Sequence, residues 1–230
     1  LGECLVQSRR AFQLDPLEPQ AANVLGTTLV YSRQYAEAIP VLQQLETLAE
    51  FPQNIIFAQS NLMKSYYEQK NLQQARVYAE KVLSNSEIDN NVKSDAQVII
   101  ARSAFESGDE NRARKAYAEV QKIATGELAA EALYYDAYFK HKDGNFKASN
   151  ESVQKLAKDY SGYKFYGAKG LVLMAKNFYA LGDAYQATYI LDNVIKNFGE
   201  YPEVVQEAQA ELNKIKANEA KTNASVETRN

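Results

Sequence analysis

The feature that most constrains the fold of this chain is an alanine that recurs at nearly constant spacing. It follows a short polar break each time, and the gaps between successive copies are 37, 38, 35 and 39 residues. Self-similarity at a period of about 20 to 50 residues is typical of repeat proteins. One structural unit is therefore predicted to recur along the chain, and its marker positions are Ala38, Ala75, Ala113, Ala148 and Ala187.

The clearest copy of this unit lies between Leu171 and Val194. Its apolar residues fall at spacings of three and four on both sides of a break at Gly182, which places each set on one face of a helix. The glycine favours a helix end with positive φ. The stretch predicts two helices that pack across a turn through Leu171, Met174, Ala175, Phe178, Ala187, Leu191 and Val194.

Composition excludes several other classes of protein. The chain has 230 residues, of which 46% are hydrophobic, so it is not mostly disordered. A net charge of -3 gives no indication of a nucleic-acid binder, and no apolar run reaches the roughly 18 residues that membrane insertion needs. The single cysteine, Cys4, excludes an internal disulfide and a cysteine-based metal site.

These residues and their spacing resemble the tetratricopeptide repeat (TPR), and the resemblance covers roughly residues 19–200. It implies an all-α fold, a right-handed superhelical solenoid of TPR helical hairpins with a C-terminal capping helix. It also suggests the C-terminal part of a longer TPR protein. The predicted array spans 1–217, with a partial unit at 1–16, units at about 19–52, 54–86, 91–124, 127–160 and 163–199, a capping helix at 202–217 and a polar tail at 218–230.

The sequence offers little that could support catalysis. His141 and Cys4 are the only histidine and cysteine, and they lie in different repeat units. The sequence contains no glycine-rich phosphate loop, no nucleophile elbow and no zinc-ligand spacing. We therefore predict no catalytic residue, no metal and no cofactor, and we expect the chain not to be an enzyme.

The resemblance implies that the first helix of each hairpin lines a concave groove. Outward positions on those helices form a basic row beside an aromatic row, and tyrosine and arginine are favoured where proteins bind partners. The alternative is that the aromatic residues belong to the core and the cations are ordinary solvated side chains. The predicted protein-binding residues are Lys64, Tyr67, Arg102, Phe105, Tyr134, Tyr138, His141, Lys176 and Tyr179.

The sequence therefore predicts a non-catalytic scaffold that binds a partner peptide or protein, without nucleic acid or membrane insertion. Two alternatives stay open: an accessory TPR arm of a larger enzyme or sensor protein, and a bacterial cell-envelope assembly protein, which the last two units resemble. Self-association through the N-terminal half repeat or the tail is a further alternative. Both a cytoplasmic and a bacterial periplasmic location are compatible with the sequence.

Overall fold

The computed structural model describes residues 2–227 of the chain, with side chains described as far as residue 221. Every regular element within that range is an α-helix. The chain divides into two compact halves, residues 1–124 and 125–230. We call them the N-terminal half and the C-terminal half.

The N-terminal half holds one leading helix and three helix pairs. Short connections join the two helices of each pair, so they run antiparallel and pack as a hairpin. The helices are α1 Gly2–Leu14, α2 Pro19–Tyr31, α3 Tyr35–Leu48, α4 Pro52–Glu68, α5 Leu72–Leu83, α6 Asn90–Glu106 and α7 Glu110–Ile123.

The C-terminal half repeats the arrangement with two helix pairs and a long final helix. Its helices are α8 Gly126–Lys142, α9 Phe146–Asp159, α10 Lys164–Ala180, α11 Ala184–Asn197 and α12 Pro202–Glu227. The boundary predicted between a capping helix and a tail at 217 falls inside α12, which continues to Glu227. Residues 228–230 of the predicted tail lie outside the described residues. In the N-terminal half, α4 begins at Pro52, the residue with which the predicted unit 19–52 ends.

Local sequence signals account for where the helices begin. Proline, which lacks an N–H and has a fixed φ, suits the first helical position, and it opens α2, α4 and α12. At α5, α6, α7 and α11 a side-chain oxygen caps the first turn. Asp109 accepts a hydrogen bond from the Arg112 N–H at 3.1 Å, and Asp183 accepts one from the Gln186 N–H at 2.9 Å.

The turn inside each hairpin has one residue with positive φ, but that residue is not always glycine. Gly182 has φ of 88°, whereas Arg33 and Lys70 have φ of 57° and 59° at the corresponding turns. The backbone hydrogen bonds have the same pattern in each case, such as Asp183 N–H to the Phe178 carbonyl at 2.9 Å. The turn geometry is therefore set by the hairpin, and two non-glycine residues adopt a conformation that is unfavourable for them.

The recurrent small residue is buried between the two helices of each hairpin. Ala38, Ala75, Ala113 and Ala187 are all fully buried. In the fourth hairpin Ala148 is only half-buried, and the fully buried position is taken by Ser149. The Ser149 hydroxyl donates to the Ala137 carbonyl at 2.8 Å, which satisfies a polar group that would otherwise be costly to bury.

Replacing Arg33 by glycine should stabilise the protein. Arg33→Gly removes the strain of positive φ, although the greater freedom of glycine in the unfolded chain offsets part of the gain. We expect the free energy of unfolding to rise by up to about 1 kcal/mol, measured by urea denaturation. Gly182→Ala is the matched opposite change and should lower the urea midpoint; a fall with Arg33→Gly would contradict the assigned turn geometry.

Replacing Ala187 by leucine should destabilise the hairpin of α10 and α11. Because Ala187 is fully buried, the added side chain forces the helices apart or distorts its neighbours. We expect a loss of about 1–3 kcal/mol in the free energy of unfolding, again by urea denaturation. Ala180→Leu, at an exposed position of the same hairpin, is the control and should change little. An unchanged midpoint for Ala187→Leu would be inconsistent with this packing.

Candidate functional site

The first helices of successive hairpins lie side by side in each half. In the N-terminal half α2 contacts α4 and α4 contacts α6, and in the C-terminal half α8 contacts α10 and α10 contacts α12. We call the outward side of each set the first-helix face of that half. The predicted binding residues all lie on these helices, four of them on α4 and α6 and the others on α8 and α10.

On the N-terminal half, Lys64 is exposed and Tyr67 is half-buried one helical turn later on α4. The Tyr67 hydroxyl donates to Glu106 Oε1 on α6 at 2.6 Å. Lys70 Nζ lies 3.5 Å from Glu106 Oε2 and 5.2 Å from the centre of the Tyr67 ring. These contacts connect two hairpins and fix the position of the Tyr67 side chain.

The neighbouring helix α6 presents Arg102 and Phe105, spaced by three residues like Lys64 and Tyr67. Both side chains are half-buried. Because α4 and α6 pack side by side, each of the two helices supplies one cation and one aromatic residue to the first-helix face of the N-terminal half.

Tyr134 lies differently from the other predicted residues. Only 7% of it is exposed, and its ring packs beside Tyr135 and Tyr166 at centroid distances of 5.2 and 6.1 Å. Burial raises the pKa of its hydroxyl, with smaller contributions from nearby charges. We therefore leave Tyr134 out of the proposed binding surface, because a core side chain has little area to offer a partner.

Tyr138 and Tyr179 are half-buried and pack against the core of the C-terminal half. Each shares its area between the core and solvent, so the core interpretation of the aromatic row applies to them in part. His141 is also half-buried, and its Nδ1 lies 2.6 Å from Asn177 Oδ1 on α10.

Lys176 forms an ion pair within the C-terminal half. Its Nζ lies 2.6 Å from Glu207 Oε1 on α12, and the two side chains are 25% and 42% exposed. A partner carboxylate would have to compete with Glu207 for this lysine. The contact joins residues on different helices, so the spacing along one helix could not predict it.

Lys169 is not among the residues predicted from the sequence. It lies two helical turns before Lys176 on α10. Its Nζ is 4.7 Å from the centre of the Tyr134 ring and 5.6 Å from that of Phe165. Burial lowers the pKa of Lys169, although the charges of Glu207, Glu131 and Glu203 oppose the shift. The spacing of seven from Lys176 is the sequence signal that places it on the same helix face.

A cleft of about 340 Å³ lies elsewhere in the C-terminal half. It is formed by the ends of α9 and α11 and the start of α10, and none of the predicted binding residues lines it. An added Cβ on Gly167 would meet no atom within 4 Å, so this glycine leaves space in the cleft wall. The lining residues are Ala157, Tyr160, Ser161, Lys164, Gly167, Leu171, Asn197, Phe198 and Glu200.

No group of three or more His, Cys, Asp and Glu side chains among the described residues is arranged to hold a metal ion. In the same part of the chain, no helix combines the length and apolar character that crossing a membrane requires.

Comparison with known proteins identifies the repeat. The tetratricopeptide repeat family matches residues 95–124, which cover most of α6 and all of α7. No curated protein matches the sequence. The matched repeat and the paired-helix fold together make this chain TPR-type.

Solved structures share the fold at low sequence identity. YrrB, a TPR protein with an unusual peptide-binding site, aligns with a TM-score of 0.63 and 10% identity over 88% of this chain and 97% of its own. PilW, a type IV pilus biogenesis factor, aligns with a TM-score of 0.61 and 18% identity over 89% and 90%. BtubC from P. vanneervenii aligns with a TM-score of 0.58 and 13% identity over 92% and 89%.

Replacing Lys169 by methionine tests whether the charge of this lysine destabilises the folded protein. A folded-state pKa below the unfolded value means that the protonated amine destabilises the fold, and that this effect is lost as pH rises from the folded pKa to the unfolded one. Lys169→Met should therefore raise the urea midpoint at pH 7, with the difference shrinking toward pH 10. Lys164→Met, at an exposed position on the same helix, is the control. A lower midpoint for Lys169→Met at pH 7 would show that the lysine charge is net stabilising.

Proposed function

We propose that this protein is a non-catalytic scaffold that binds a polypeptide partner along its first-helix faces, with acidic residues of the partner meeting the N-terminal half. The observation that carries this proposal is the exposed Lys64 beside Tyr67, with Arg102 and Phe105 on the adjacent helix. Cations beside aromatic rings suit a segment that carries both carboxylates and apolar side chains.

Lys64 of the N-terminal half and Lys176 of the C-terminal half differ in how available they are to a partner. Lys64 has no ion pair among the described residues, whereas Lys176 is held by Glu207. An exposed cation that gains a carboxylate on binding does not first have to leave an internal partner. Selection for acidic residues is therefore assigned to the first-helix face of the N-terminal half. The separate face of the C-terminal half presents the half-buried Tyr138, His141 and Tyr179.

The Tyr67 contacts support a preformed surface. Because Glu106 accepts the Tyr67 hydroxyl and also lies beside Lys70, the ring is held in place before any partner arrives. Binding to a side chain that is already fixed costs less conformational entropy than ordering a mobile one.

The structural neighbours support the proposal at the level of fold alone. YrrB has a peptide-binding site, so a protein of this fold can carry such a site. PilW functions in pilus biogenesis, and that likeness does not extend beyond the fold. The alternatives of a cell-envelope assembly role and of an accessory arm on a larger enzyme stay predictions, as does the absence of enzyme activity.

Charge reversal at Lys64 tests the acidic specificity. Peptides are first selected from a random display library against the wild-type protein, and we expect them to be rich in Asp and Glu. Lys64→Glu should then weaken the selected peptides at least about tenfold, since a charge-assisted hydrogen bond contributes about 1.5–3 kcal/mol and repulsion is added. Isothermal titration calorimetry gives the dissociation constants, and circular dichroism checks the fold.

Lys115→Glu is the matched control, because Lys115 is an exposed lysine of the same half on α7, the second helix of its hairpin. It changes the net charge by the same amount and should leave the affinity within about twofold. Equal weakening by both variants would show that the net charge of the protein, and not the position of Lys64, causes the loss of affinity. Selection of neutral or basic peptides would refute the proposed specificity, and a failure to select any peptide would refute the proposed function.

A further inference from the structure

A buried hydrogen-bond network joins α8, α9 and α10 beneath His141. Asn177 is fully buried, and its Nδ2 donates to Ser149 Oγ at 2.8 Å and to Asn150 Oδ1 at 2.7 Å. Ser149 in turn gives its single hydroxyl hydrogen to the Ala137 carbonyl at 2.8 Å. Both amide hydrogens of Asn177 are therefore used within the network.

This network determines which nitrogen of His141 carries its hydrogen. Asn177 Oδ1 faces His141 Nδ1 at 2.6 Å, and an amide oxygen can only accept a hydrogen bond. The hydrogen must then be on Nδ1. Rotating the Asn177 amide by half a turn would set its oxygen against Asn150 Oδ1 and would draw the Ser149 hydrogen away from the Ala137 carbonyl. The first change brings two amide oxygens together with no hydrogen between them, and the second gives up the Ser149–Ala137 hydrogen bond, so the orientation that puts the hydrogen on Nδ1 is favoured.

The other ring nitrogen is left as an acceptor at the surface. A neutral imidazole carries one N–H, so Nε2 has a free lone pair when Nδ1 is the donor. Among the described residues, the buried side-chain atoms without a hydrogen-bond partner are the hydroxyls of Ser60, Ser65 and Ser103. Nε2, which has no partner within that part of the chain, is therefore open to solvent. The ring is also held by Phe146, with 5.5 Å between the ring centres.

We propose that His141 presents Nε2 as a fixed hydrogen-bond acceptor to an N–H or O–H donor of the bound polypeptide. This rests on the proposed function, because His141 lies on the first-helix face of the C-terminal half. Asn177 is the positioning residue, acting through the imidazole from a fully buried site. A side chain whose orientation and hydrogen position are both set in advance gives directional selectivity at a low entropic cost.

The network also makes His141 differ from its neighbours on the face. Lysine side chains can only donate, whereas the neutral imidazole in this form accepts at the surface. A partner segment with a backbone N–H, a hydroxyl or an amide group at this point can donate to Nε2.

Nuclear magnetic resonance of the wild-type imidazole tests the hydrogen position without any partner. Because the chain contains one histidine, its ring signals need no assignment. At a pH high enough for the imidazole to be neutral, long-range ¹H–¹⁵N correlation should show Nδ1 as the protonated nitrogen and Nε2 as the bare one. A spectrum of the Nε2–H form, or of a mixture of both forms, would overturn the proposal.

Removing the acceptor tests the role of Asn177. In Asn177→Leu the Nε2–H form should become populated, which a merely structural residue would not cause. Urea denaturation shows whether the variant is folded, and if it is not, the wild-type spectrum still decides the hydrogen position. A folded variant that keeps Nδ1 fully protonated would contradict the positioning role.

Chemical protection tests the contact with a partner. The probe is the tightest peptide, among those selected against the wild-type protein, whose binding Tyr138→Ala weakens, so that it occupies the first-helix face of the C-terminal half; the absence of any such peptide would overturn the recognition role of His141. Diethyl pyrocarbonate acylates the bare imidazole nitrogen. Saturating peptide should slow acylation of His141, followed by mass spectrometry, at least about fivefold. His141→Phe, which keeps a ring but lacks the acceptor, should weaken the same peptide about three- to tenfold.

The outcomes separate the two proposals. Unchanged acylation with the peptide bound, or unchanged affinity for His141→Phe, would overturn the recognition role of His141 while the proposed function stands. If no peptide binds at all, the proposed function fails and this role fails with it, whereas the spectrum of the wild-type protein reports the hydrogen position independently.

Discussion

The structure depends on the close approach of two helices at one small residue in each hairpin. Ala38, Ala75, Ala113, Ser149 and Ala187 are fully buried at that contact. A larger side chain would hold the helices apart, and dense packing leaves little room to adjust. Because a single hairpin cannot cover its own apolar stripes, neighbouring hairpins stack on it, and the first helices of each half come to lie side by side.

That stacking determines the chemistry of the first-helix faces. The polar contacts that fix Tyr67, His141 and Lys176 are made to residues on the adjacent helix of the same face, namely Glu106 on α6, Asn177 on α10 and Glu207 on α12. These contacts between adjacent helices hold the side chains of each face in place, so each face offers a partner a rigid surface. The contacts differ between the halves, since Lys176 forms an ion pair with Glu207 and Lys64 forms none among the described residues.

Periodicity predicted the helices well because burial of one helix face imposes a spacing of three and four on the sequence. It was less reliable where a polar residue replaces the expected apolar one. Ala148 marks the fourth unit in the sequence, but Ser149 takes the buried position there, and the Ala137 carbonyl satisfies its hydroxyl. Tyr134 was predicted to lie on the binding surface, but only 7% of it is exposed. Spacing along one helix does not distinguish a residue of the groove from a residue of the core.

The sequence by itself determined the all-α class, the hairpins and the set of positions that lie on the first helices. Those properties follow from local spacing, turn residues and the recurrence of one small side chain. Only the tertiary structure decided which of those positions are available to a partner. The partners of Tyr67, His141 and Lys176 lie 39, 36 and 31 residues away in sequence, on helices brought close by stacking. A pattern confined to one helix carries no information about such contacts.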